Sequence, residues 1–360
     1  MYRYENIRDL HLEITSRCQA SCPMCIRNFH GGGKNNLLEL HDWTLEDFKT
    51  RIPVDLLEQL EGFYFCGNLG DPIINTELVD MISYATSINN SLNIRVHTNG
   101  GARTAKFWQD LAIALPDNHL VTFSLDGLDD THSLYRIGTK YQTILSNAKI
   151  FINAGGKAEW SFIRFKHNEH QVEQAREIAF KSGFKSFVVK NTSRFIVDEK
   201  FKVINTDDQI THYLEAPTEM TSSIITQEMI DAYEDILDSA KIVCPVQKEK
   251  SLYIDCTGTL YPCCWIASLP WTENKGPAQN VKQHMLDQYQ KFLDYFGGVD
   301  NIHTSKVPIK NILETQQWKE IEKFLWHNDK FLMCARSCSQ TDIDFMKATN
   351  QRIKVETINE

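Results

Sequence analysis

The 360 residues carry 38 Lys and Arg against 47 Asp and Glu, a formal net charge of −9, and 42% are hydrophobic. At about 150 residues per domain this length implies two to three domains, and the apolar content excludes global disorder. An acidic surface repels phosphate backbones, which argues against nucleic acid as a partner. The segment from Met1 to Asp9 lacks the apolar core of a signal peptide. The uncharged stretch 256–272 is broken by Gly258, Pro262 and Pro270, and falls short of the ~20 apolar residues that a membrane span needs. The expectation is a cytoplasmic chain without membrane contact. In a reducing compartment its ten cysteines point to metal or redox chemistry rather than disulfides.

Strand-like and helix-like segments alternate from the N-terminus. Residues 11–14 form a short apolar run leading into a cysteine loop, and 62–66, 92–96, 120–125, 159–165 and 184–190 complete six predicted strands. Between them, Thr44 and Asp47 open a helix with a capping-box pattern. Residues 76–88 place Leu78, Ile82 and Ala85 on one face, and 104–115 and 141–154 keep the same period. Residues 170–182 end at Gly183, a helix stop. Six strand–helix units within residues 1–195 are too few for an eight-fold barrel. The expected α/β architecture is therefore a partial (β/α)6 TIM-like barrel with ligands at the C-terminal ends of its strands. A flat doubly wound sheet is the alternative. Residues 196–240 lose the rhythm and read as a linker with a helix near 226–240. Cysteines resume after Lys241, which places a smaller C-terminal domain at 241–340 and a short helix and polar tail at 341–360.

Cys18-Gln-Ala-Ser-Cys22-Pro-Met-Cys25 is a C-x3-C-x2-C run at the end of the first strand. Three thiolates from one loop can hold three irons of a cubane and leave the fourth open to a ligand. Zinc, with His30 as a fourth ligand, is the other metal that this spacing allows.

In this position the triplet resembles the signature of the radical S-adenosylmethionine (SAM) superfamily. The resemblance implies a [4Fe-4S] cluster on Cys18, Cys22 and Cys25, with SAM at its open iron. It further implies reductive cleavage to a 5′-deoxyadenosyl radical, abstraction of a substrate hydrogen, and an electron donor such as flavodoxin or ferredoxin. Gly67-Asn-Leu-Gly70-Asp71-Pro72 stands where the family carries a Gly-Gly-Glu-Pro type loop for the SAM amino group. Leu69 replaces a glycine there and Asp71 the glutamate, which implies SAM contacts from Gly70, Asp71 and Pro72. Thr98-Asn99-Gly100 ends the third strand in a way common in the family. Ser124 and Asp126 stand where the family contacts the SAM ribose and carboxylate. Arg136 resembles an arginine that pairs with that carboxylate, a role suited to a bidentate guanidinium. Met24 takes the place of an aromatic residue that packs on adenine.

Downstream, Cys244, Cys256 and the pair Cys263-Cys264 precede Cys334-x3-Cys338, and Gly258 suits a hairpin turn between 252–255 and 259–261. The pattern resembles the auxiliary-cluster domains of the same superfamily, called SPASM with two clusters and Twitch with one. Six cysteines imply one cluster, with Cys244, Cys263, Cys334 and Cys338 as ligands and Cys256 or Cys264 as substitutes. Four thiolates suit a second [4Fe-4S] cluster for electron transfer, or a structural zinc. Cys66 reads as a strand cysteine. Gly31-Gly-Gly-Lys34 lacks P-loop spacing, and His97, His119, His132, Trp265, Trp271, Trp318 and Trp326 read as structural.

The implied activity is radical modification of a peptide or protein, ahead of dehydrogenation of a small molecule such as an aminosugar. A non-catalytic iron–sulfur or zinc scaffold is the rival from another class. The first strand begins within about ten residues of Met1, so no leader-peptide-binding domain is expected ahead of it.

Overall fold

The computed structural model describes residues 1–192, 194–196, 200–218, 224–225, 233–271, 279–327, 330–339 and 352–357. Six parallel strands lie side by side in chain order: β1 (Asp9–Leu12), β2 (Gly62–Phe65), β3 (Asn93–Thr98), β4 (His119–Ser124), β5 (Ala158–Ile163) and β6 (Ser186–Lys190). Parallel neighbours require crossovers, and helices supply them. Leu45–Arg51 and Val54–Gln59 follow β1, Leu78–Ile88 follows β2, Ala105–Ala114 follows β3, Tyr141–Asn153 follows β4 and Val172–Lys181 follows β5. The expected open (β/α)6 barrel is therefore the architecture of this half.

Local signals place the helix ends. The Asp47 N–H donates to Thr44 Oγ1 (3.0 Å) and the Thr44 N–H to Asp47 Oδ2 (2.9 Å), the reciprocal pair that satisfies two orphan donors. Gly183 takes φ +89° just past Lys181, a conformation strained for any residue with a Cβ. Along Tyr141–Asn153 the buried Tyr141, Ile144, Leu145, Ala148 and Phe151 recur every three or four residues. Trp108, fully buried, packs on Phe123 of β4 with ring centroids 5.1 Å apart and on Phe151 at 6.4 Å.

Strand β1 has partners on both sides. Ser251–Ile254 pairs with it in parallel, in register from Asp9↔Ser251 to Leu12↔Ile254. Leu260–Tyr261 folds back antiparallel to that strand through a turn in which Gly258 takes φ +99°. At the other edge Arg352–Thr357 pairs antiparallel with β6. The resulting nine-stranded sheet has a linear order and so stays open.

Three expectations change. The stretch 196–240, read as a linker, contains an antiparallel hairpin, Lys200–Ile204 with Ile210–Glu215. Its expected helix appears as Tyr233–Ser239, and 226–232 lie outside the described residues. Residues 352–357, read as polar tail, form a sheet strand, whereas the short helix expected from 341 lies outside the described residues. The C-terminal part also shares the barrel's sheet and core, because one cluster of buried side chains runs from Ile7 through Phe123 to Tyr253, Trp318 and Leu332. A four-residue strand reads locally as half of a hairpin, and a pairing partner some 240 positions away leaves no local trace. Among the described residues, no helix is long and apolar enough to cross a membrane.

Trp108→Ala removes a filled core volume that its neighbours cannot collapse into. It is expected to lower unfolding free energy by about 3–5 kcal/mol, read from a denaturant titration.

Candidate active site and auxiliary thiol site

The ends of the parallel strands converge on the cysteine loop that leaves β1. Asn99, just past β3, donates from Nδ2 to Cys18 Sγ (3.5 Å), and Gln19 Nε2 donates to Asn99 Oδ1 (2.6 Å). Arg136, beyond β4, approaches Cys22 Sγ at 3.8 Å and pairs with Asp126 through Nε at 2.5 Å. The other Asp126 oxygen accepts the Ile163 N–H at the end of β5 (2.5 Å). Arg27, following the triplet, donates to the carbonyls of Ser16 and Leu69 and so ties the loop to the end of β2.

Cys18, Cys22 and Cys25 pack in one apolar cluster with Met24, Tyr135 and Phe165. Burial pushes the Cys18 and Cys22 thiols above their ordinary range. The charge of Asp71 adds to this at Cys18, and Arg136 opposes it at Cys22. Thiols buried in this way ionise when a metal centre supplies the compensating positive charge. One short loop that gathers three thiols beside a partly buried arginine fits a cluster with three protein ligands.

The 200–215 hairpin covers this loop. Val203 and Leu214 join the same apolar cluster, the His30 ring stacks on Phe201 (4.6 Å), and the Ile204 N–H donates to the His30 carbonyl (3.0 Å). A Cβ on Gly32 would lie 2.6 Å from the Asn205 carbonyl oxygen. Gly31 and Gly32 thus serve close packing, and His30 Nδ1 bonds the Lys202 carbonyl (3.0 Å).

The residues expected to contact SAM are placed as follows. Asp71 is buried, and its carboxylate accepts the N–H groups of Asn99 (2.7 Å) and Ile73 (3.3 Å), which makes it a brace between the ends of β2 and β3. Pro72 opens the short helix Pro72–Ile74. Gly70 is forced by the chain itself, since a Cβ there would fall 1.8 Å from the Thr15 carbonyl oxygen. Ser124 ends β4 opposite Ser161. Arg136 is held protonated, well above its ordinary range, mainly by Asp126. His97, His119 and His132 bond Tyr64, the Pro116 carbonyl and Thr139 respectively.

Sequence reading passed over Glu13, Gln19 and Arg27, and named Asn99 only as part of a strand end. The available signal for Glu13 was a carboxylate between Leu12 and Ile14 in an otherwise apolar run. It is 2% exposed, and burial raises its pKa to about 7 against the pull of Tyr253 and two backbone N–H groups.

The second thiol group surrounds a cavity of about 100 Å3 lined by Cys244, Cys263, Cys334 and Cys338. Cys334 and Cys338 stand four residues apart on the helix Leu332–Cys338. Cys244 and Cys263 precede the helices Pro245–Glu249 and Cys264–Ala267. A hydrogen bond from the Cys338 thiol draws Cys244 down to about 7, whereas burial pushes Cys263 up to about 11. Cys264 also lines the cavity. Cys256 does not, and burial pushes its thiol well up. Burial raises the Cys66 thiol to about 11. Among the described residues, no three His, Cys, Asp or Glu side chains converge closely enough for a single metal ion.

No family model matches the chain. The protein anSMEcpe with bound AdoMet (SAM) superposes with a TM-score of 0.56 at 14% identity, over 95% of this chain and 91% of its own. The same protein with bound AdoMet and Cp18Cys peptide superposes at 0.53 and 14% identity, over 95% and 94%. This chain shares the fold of anSMEcpe. In sequence, the tungsten-containing aldehyde ferredoxin oxidoreductase cofactor-modifying protein of Pyrococcus furiosus is 30% identical over 129 residues, 36% of this chain. That match spans 33% of the relative's length.

Within this fold the fully buried Asp126 pairs with the partly buried Arg136, and removing one partner strands the other charge. Asp126→Asn is expected to cost about 3–5 kcal/mol of unfolding free energy, with part of it recovered in Asp126→Asn/Arg136→Met. For Glu13, whose pKa rises from 4.5 unfolded to about 7 folded, the folded state binds the extra proton between those values. Wild type therefore loses stability relative to Glu13→Gln as pH rises through that window, by at most about 3 kcal/mol. Thermal unfolding of both proteins from pH 4 to 8 reads the difference.

Proposed function

We propose that this chain is a radical SAM enzyme that abstracts a hydrogen atom from a peptide or protein side chain. The observation that carries the reading is the gathering of Cys18, Cys22 and Cys25 under Asn99 and Arg136 at the C-terminal ends of an open parallel barrel. Those three thiolates would hold a [4Fe-4S] cluster with one open iron, and Cys244, Cys263, Cys334 and Cys338 a second. When bound, the first cluster would supply the electron for reductive cleavage of SAM, and the second would accept one electron from the substrate radical.

The chain's own residues bind and orient. Arg136 has guanidinium N–H donors beyond those given to Asp126 and Cys22, and they suit the SAM carboxylate. Gly70 and Asp71 border the place of its amino group, and Met24 that of adenine. Asp126 keeps Arg136 charged and aimed, and Ser124 offers a hydroxyl at the end of β4. The 200–215 hairpin excludes water from the side of the loop that it covers. A peptide or protein substrate is supported by the peptide held by anSMEcpe, whose fold this chain shares over nearly its whole length. A reduced flavodoxin or ferredoxin would supply the electron.

Anaerobic reconstitution with iron and sulfide is expected to give about eight iron atoms per chain for two cubanes, and about four in Cys334→Ala/Cys338→Ala. Reduced wild type should release 5′-deoxyadenosine from SAM, and Cys22→Ala none. Intact clusters without 5′-deoxyadenosine would overturn the reading. Zinc in place of the second four irons would make the auxiliary site structural. Deuterium carried from labelled candidate peptides or small molecules into 5′-deoxyadenosine identifies the substrate class.

A further inference from the structure

One buried carboxylate has no part in the function above. Glu13 leaves β1 directly beneath the 67–70 loop. Its Oε1 accepts the N–H groups of Leu69 (2.5 Å) and Gly70 (2.9 Å), and its Oε2 accepts the Tyr253 hydroxyl. Tyr253 belongs to Ser251–Ile254, the strand on the opposite side of β1 from β2. From the loop, Asn68 Nδ2 donates to the Cys264 carbonyl (2.8 Å). The contact with Glu13 is close enough to dictate sequence, because a Cβ on Gly67 would lie 2.5 Å from Glu13 Oε1.

Burying a carboxylate is costly, and here three hydrogen bonds offset the cost. A Gly-Asn-Leu-Gly segment loses much backbone entropy on ordering, and Leu69 is its one buried side chain. Two N–H groups accepted by one fixed oxygen give that segment a single shape. The fixed oxygen is itself aimed by Tyr253.

We infer that Glu13 is a positioning residue for SAM binding, holding the 67–70 loop against the strand Ser251–Ile254 so that Gly70 and Asp71 meet the ligand. This rests on the assignment of the 67–72 segment to SAM. The anchor also joins the SAM loop to the strand whose neighbouring hairpin carries Cys263.

Two readouts test it. In cluster-free protein, hydrogen exchange at the Leu69 and Gly70 amides should quicken about tenfold or more in Glu13→Ala. In reconstituted protein, Glu13→Ala should raise the SAM Kd and KM about tenfold or more, while kcat at saturating SAM stays within about twofold of wild type. Glu13→Gln keeps a carbonyl acceptor for both N–H groups and should restore amide protection and KM. Tyr253→Phe, which removes one hydroxyl, should raise KM about threefold and decides the matter if Glu13→Ala fails to fold. Wild-type amide exchange in Glu13→Ala, or a loss confined to kcat, would overturn the inference. A wild type that binds no SAM overturns the SAM assignment and this inference with it. Normal wild-type binding matched by Glu13→Ala overturns this inference alone.

Discussion

The parallel pairing of β1 with a neighbour on each side is the constraint on which the rest of the structure depends. With β2 on one side and Ser251–Ile254 on the other, the chain leaving β1 emerges between the two halves of the molecule. The first cysteine loop follows directly, the 67–72 segment arrives from β2, and the hairpin bearing Cys263 and Cys264 arrives from the other flank. Parallel strands point their C-terminal ends the same way, so residues from distant parts of the chain reach one region without any long loop.

Polar groups in that region are buried and answered in pairs. Asp126 answers Arg136 and the end of β5, Asp71 answers Asn99 and the end of β2, and Glu13 answers the 67–70 loop and Tyr253. Each carboxylate bridges at least two strand ends. The low dielectric that makes such groups costly alone also makes their hydrogen bonds strong and directional. These bridges tie the strand ends to one another around the first cysteine loop. The thiols follow another logic: Cys22, Cys256 and Cys334 are buried and the other seven half-buried, and a thiol raised by burial ionises only beside a compensating positive charge.

Much of the architecture was legible. Alternating apolar segments of the right length locate all six barrel strands to within a few residues, because a strand buried between helices has to be apolar and short. The Thr44–Asp47 box and Gly183 mark helix ends through local hydrogen bonding and backbone geometry, which a sequence displays directly. The pairing of Arg136 with Asp126, by contrast, depends on how the connection after β4 folds back on itself. The function of Glu13 depends on three partners that lie 56, 57 and 240 residues away. The 200–215 hairpin escaped notice because its apolar face looks toward the cysteine loop, an arrangement with no periodic signature in so short a segment.

By itself the sequence determined the chemistry on offer: two groups of thiols at metal-binding spacings, an acidic surface, and a repeating strand–helix unit. These are properties of residue type and spacing along the chain, and they survive without coordinates. Only the tertiary structure decided that Cys244, Cys263, Cys334 and Cys338 share a cavity while Cys256 turns away from it. It also decided that Asp71 braces two strands and that the C-terminal part continues the barrel's sheet. Those outcomes rest on strand register and on the meeting of loops distant in sequence, and no local pattern encodes which buried group will face which.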